Sequence, residues 1–107
     1  MARRKPTLRR NLNKWEPYDP RWLVHLARQQ FPGDYELHQA PSLCTLAQRN
    51  ACCAPKICGY HFVDASNPNQ PGSPWQHSHT VIIPRDAEPD IFVDVLKDGR
   101  IGAVEFF

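Results

Sequence analysis

The sequence predicts an α+β domain in which two N-terminal helices pack on a C-terminal antiparallel sheet of three to four strands. Three observations carry that expectation: helical apolar spacing in the first half, alternating apolar runs after residue 76, and an Asp98-Gly99 pair between the last two runs. A chain of 107 residues with 41% apolar and 22% charged side chains supports one domain with one modest core. Eleven prolines add much irregular connection. The division expected is a basic flexible arm over residues 1–14 and a single α+β domain over 15–107.

After the arm, Pro17 and Pro20 punctuate "WEPYDPRW", and "PRWLVHLARQQF" reads as the first helix. Asp19 suits its N-cap and Pro20 its first position, where a missing N–H costs nothing. Trp22, Leu23, Leu26 and Ala27 form its apolar face, with His25 at the margin as a core-edge histidine. "FPGD" ends the helix, and "DYELHQ" alternates as a short extended segment. "APSLCTLAQRNACC" reads as the second helix, started by Pro41 and Ser42 and striped by Leu43, Leu46, Ala47 and Ala51. "ICGYHFVDA" suggests a strand and "SNPNQPGSPWQ" a loop. "HTVII", "DIFVDVL" and "RIGAVEFF" read as three strands, the last two joined by "KDGR".

The net charge of +2 hides an asymmetry. Residues 1–14 hold Arg3, Arg4, Lys5, Arg9, Arg10 and Lys14 with no acid, whereas the remainder carries seven basic and eleven acidic side chains, a balance of −4. Contact with nucleic acid is therefore expected through residues 3–14 only, and the plainer reading is a solvated tail or linker. No apolar run reaches the ~20 residues of a membrane span and no apolar segment follows the N-terminal basic residues, so cytoplasmic synthesis without a signal peptide is expected.

Two constellations carry chemistry. Cys44 in the first turn of the second helix would feel the positive end of the helix dipole, which favours a reactive thiolate. His79, on one strand, and Asp94, on the next, would supply its proton partner and the group that orients that ring. Gln39, five residues before Cys44, could offer an amide N–H to an oxyanion. Simple alternation puts His77 on the face of His79, so either histidine can fill the role.

This order of glutamine, cysteine at a helix start, histidine on a strand and aspartate on the following strand resembles the papain-like and transglutaminase-like cysteine hydrolases, including small bacterial papain-fold effector or toxin domains. The resemblance covers residues 37–107. It implies Cys44 as nucleophile, His79 as general base, Asp94 as orienting acid and Gln39 as oxyanion donor. The implied activity is amide hydrolysis, deamidation or acyl transfer on a protein or peptide substrate, without cofactor. An effector would be delivered by a specialised secretion system, with a cognate inhibitor or immunity protein as partner.

The alternative is zinc. Cys44, Cys52, Cys53, Cys58 and His61 lie within eighteen residues, and tetrahedral zinc takes four such ligands. On one helix Cys44 and Cys52 would stand about 12 Å apart, which leaves Cys53, Cys58, His61 and a later histidine as the ligand set, in a nucleic-acid-binding module. The plain reading of every cysteine is a small buried apolar residue. A third reading is a non-catalytic interaction, inhibitor or immunity protein whose sheet is its binding face. Trp75 beside His77 and His79 adds a nuclease site as a minor reading, without an HNH, deaminase or phosphate-loop pattern to accompany it.

Overall fold

Ile91, Val93 and Val95 alternate with Phe92 and Asp94, so a strand through them must present one wholly apolar face and one mixed face. The structure, a computed structural model describing residues 14–50 and 58–106, builds its sheet around this strand. Among the described residues six antiparallel strands occur: β1 (Trp15–Pro17), β2 (Leu46–Asn50), β3 (Gly59–His61), β4 (His77–Ile83), β5 (Ile91–Leu96) and β6 (Ile101–Phe106). Their spatial order is β1-β2-β3-β6-β5-β4, with β1 and β4 at the edges. Pro17, which cannot donate to a ladder, sits on the edge strand β1, where proline is tolerated.

Helix α1 (Arg21–Gln30), helix α2 (Tyr35–Gln39) and a 3₁₀ turn (Ala40–Leu43) bury the apolar face. Leu23, Ala40 and Cys44 join Ile83, Ile91, Val93, Val95, Ile101 and Val104 in one core, with Leu26, Phe31 and Leu37 packed against it. Tyr18 anchors β1 and α1 to the sheet: it stacks near Tyr60 and Phe62 at 5.0 and 5.1 Å and accepts a hydrogen bond from Trp22 Nε1 at 2.7 Å. A smaller cluster of Val63, Trp75, Leu96 and Ala103 lies apart from this core. No described helix is long and apolar enough to cross a membrane.

The expected division into two N-terminal helices and a C-terminal sheet of three to four strands is not what forms. The α+β class stands, but the sheet has six strands and recruits both halves of the chain. The second helix is the main correction. Residues 46–50 form β2, paired with β1 through Glu16 and Ala47 and with β3 through Gln48 and His61. The helical stripe was a coincidence of spacing. Only Ala47 of the described part is buried, whereas Leu43 and Leu46 are exposed, because a strand needs one inward residue in two. "DYELHQ" is helical instead of extended, since the Asp34 side chain accepts from the Leu37 N–H at 3.0 Å and caps α2.

Other expectations held with adjusted ends. In α1, Asp19 accepts from the Arg21 N–H at 3.1 Å while Pro20 occupies the N-cap itself. The β5–β6 hairpin turns at Gly99, whose φ of +88° is glycine's conformation. The segment 51–57, with Cys52 and Cys53, and most of the basic arm lie outside the described residues.

Candidate functional site

Two bulges decide which side chains meet. His77 pairs with Leu96 and His79 with Val95, so Ser78 is an extra residue in β4. Asp94 pairs with Ala103 but Val95 with Ile101, so Gly102 is extra in β6. The slip puts His79 on the helix-covered face with Val95 and leaves His77 on the opposite, outer face. Gly102 also admits Trp75, since a Cβ there would come within 2.5 Å of the indole ring.

The expected triad is thereby divided. Cys44 is 3% exposed, packed in the core with its thiol directed at the Ala40 carbonyl at 3.8 Å. It ends a 3₁₀ turn instead of opening a helix, and burial pushes the thiol up to about 12, away from thiolate. His79 is exposed, with Nδ1 at 3.0 Å from Ser78 Oγ, and shares an open groove of about 530 Å³ with Gln39, Glu36 and Arg100. Asp94 lies on the other side of the sheet, opposite Thr80. Gln39 and His79 come together, but neither Cys44 nor Asp94 joins their groove.

On the outer face Asp94 gathers a different set. Thr80 Oγ1 donates to Asp94 Oδ1 at 2.8 Å, and His77 Nε2 lies 3.2 Å from Thr80 Oγ1 and 3.8 Å from Asp94 Oδ1. A hydroxyl has one hydrogen. With that hydrogen given to the carboxylate, the Thr80 oxygen accepts from His77, which assigns the proton to Nε2 and leaves Nδ1 as the atom that exchanges protons. Glu105 hydrogen-bonds to Asp94 from the neighbouring strand, and burial together with the Asp94 charge raises its pKa. Asp94 thus lies between the Thr80 hydroxyl on one side and the Glu105 carboxyl on the other.

His61 completes the set from β3. It shares a cross-strand row with Ala103, Asp94 and Thr80, and the small Ala103 side chain separates it from Asp94. Burial lowers the His61 pKa, opposed by the charges of Asp94 and Asp64, so its neutral form is favoured. Trp75 stands edge-on to its ring at 6.0 Å. Glycine at 59, beside Glu105, is required because a Cβ there would lie 2.1 Å from the Val104 carbonyl oxygen.

The zinc alternative loses one ligand in this state. Cys58 is disulfide-bonded, and a disulfide sulfur offers no thiolate. Among the described residues no three histidine, cysteine or carboxylate groups are placed to hold a metal ion. Thr80 and Glu105 were not anticipated as site residues, and His61 only as a zinc ligand. A signal existed: two acids, Asp94 and Glu105, interrupt otherwise apolar strands on either side of one hairpin. Comparisons with protein-family models, curated proteins and solved structures find no match to the chain.

Proposed function

We propose that the outer face of the sheet performs general acid–base catalysis as a hydrolase or transferase, with His61 and His77 as its proton-transfer groups. The observation that carries this reading is the directed chain from His77 through Thr80 to Asp94, closed on its far side by Glu105. Such a chain holds an imidazole in one tautomer and places a carboxylate 3.8 Å away to balance the charge that develops on protonation. His61, biased by burial to its neutral form, is suited to accept a proton, and His77 to return one. The Asp94 charge acts on both rings, at 3.8 Å from His77 and across Ala103 from His61. The thiol mechanism is not carried forward, because Cys44 is buried in the core and Asp94 lies across the sheet from His79.

The test is release of p-nitrophenol from p-nitrophenyl acetate and from 2-hydroxypropyl p-nitrophenyl phosphate. The expected result is turnover that falls about 10²- to 10⁴-fold in His61→Gln and His77→Gln and persists in Cys44→Ala. If neither substrate is turned over above the rate of the double histidine variant, the reading is wrong.

A further inference from the structure

We propose that the outer edge of β4 is an interface at which a second copy of this chain pairs strand to strand. The two edges of the sheet differ in kind. β1 is three residues long and carries Glu16 and Pro17, and shortness, charge and proline all keep an edge from recruiting another chain. β4, His77–Ile83, is seven residues long and contains no lysine, arginine, acid, proline or glycine. Its last four residues are β-branched, and Ile82 is 53% exposed. Such a segment at an edge is a template for a further strand.

The phase of the ladder fixes which backbone groups that edge offers. In β6 the Gly102 carbonyl accepts from the Phe62 N–H at 2.7 Å and the Phe106 N–H donates to the Cys58 carbonyl at 2.8 Å, so both face β3. By alternation Ala103 and Glu105 face β5, and their partners Asp94 and Phe92 face β6. Thr80 and Ile82, opposite Asp94 and Phe92, therefore aim N–H and C=O out of the sheet. His77 confirms the phase, since its N–H leaves the sheet for Asn69 Oδ1 at 2.8 Å. Among the described residues nothing beyond the edge hydrogen-bonds the backbone of Thr80 or Ile82.

These groups are self-complementary about a two-fold axis. With the axis at Val81, Thr80 of each copy pairs with Ile82 of the other, and the two pairs exchange four hydrogen bonds. An axis at Thr80 gives two, because the next residue to be paired, Ser78, sits in the bulge. An axis at Ile82 sets Thr80 against Pro84, which has no N–H. One register is thus preferred, and the blocked edge at β1 stops the assembly at two copies. Opposed residues share a face, so the second copy's Ile82 lies beside Thr80 and shields its hydrogen bond to Asp94. The pairing does not require the outer face to be catalytic.

The test is sedimentation equilibrium of the full chain between roughly 1 and 100 μM, the span over which a micromolar dimer assembles. The expected result is twice the mass of one chain at the upper end. Ile82→Pro removes an N–H that the β4–β5 ladder does not use, and Ile82→Lys sets a charge on the edge; both should be monomeric with unchanged far-UV circular dichroism. If Ile82→Pro fails to fold, Ile82→Lys decides. Val81→Cys, about 4.5 Å from its counterpart between Cα atoms, should form an intermolecular disulfide under mild oxidation, whereas Ser78→Cys, roughly 20 Å from its own, should not. A monomer at every concentration overturns the proposal. So does a dimer that survives both Ile82 variants, or a disulfide formed as readily by Ser78→Cys as by Val81→Cys.

Discussion

Thr80 and Asp94 stand opposite each other on β4 and β5, and the Thr80 hydroxyl donates to Asp94 Oδ1 at 2.8 Å while receiving the Nε2 proton of His77. One hydroxyl thus couples a histidine to a carboxylate that it does not touch directly. Thr80 is a positioning residue, and its role depends on the hydrogen it gives and the lone pair it offers.

Thr80→Val keeps the shape and removes both functions. We expect kcat on 2-hydroxypropyl p-nitrophenyl phosphate to fall about 10- to 100-fold with little change in KM, and Thr80→Ser to restore it. Equal loss in both variants would mean that the methyl packing matters and the hydroxyl does not.

Cys44 should be chemically quiet. A thiol pushed up to about 12 has roughly 10³-fold less thiolate near neutral pH than an ordinary cysteine, and 3% exposure slows access further. Alkylation by iodoacetamide at pH 7.5, followed by mass spectrometry, should proceed only as fast as the protein opens. Rapid labelling of Cys44 in the folded state would contradict its burial.

Stability should respond to His61 and Glu105 in opposite senses. The folded pKa of His61 lies below the ordinary 6.5, so its contribution is present above pH 6.5 and lost as pH falls through the folded value. Glu105 is raised above 4.5, so its contribution is present below that value and lost as pH rises through the folded one. Urea midpoints should therefore show Glu105→Gln more stable than wild type at pH 7 and equal to it at pH 4. His61→Gln should flatten the acid-side decline between pH 6.5 and 5. Identical midpoint profiles for wild type and both variants would remove the electrostatic account.

Gly102 and Gly33 make a matched pair. A Cβ at Gly102 would meet Trp75 Cζ3 at 2.5 Å and Leu96 Cδ2 at 2.9 Å, whereas at Gly33 it meets nothing within 4 Å. Gly102→Ala should cost about 1–3 kcal/mol in chemical denaturation and shift Trp75 emission, and Gly33→Ala should stay within about 0.5 kcal/mol. A neutral Gly102→Ala would show that the indole is not seated against this bulge.

The sequence alone determined α1, the three C-terminal strands and the hairpin at Asp98-Gly99, because each is written in local periodicity, capping and turn chemistry. It also made the charge asymmetry and the isolation of Asp94 and Glu105 within apolar strands visible. Tertiary pairing decided the rest. Residues 46–50 carry an apolar spacing that suits a helix, and only partners in β1 and β3 make a strand the better solution. The bulges at Ser78 and Gly102 were equally illegible, since an extra residue in one strand exists only relative to its neighbour. A slip of one residue carries a side chain through the sheet. For that reason His77 reaches Asp94 through Thr80, His79 lines a groove with Gln39 on the other face, and Cys44 has neither histidine as a partner.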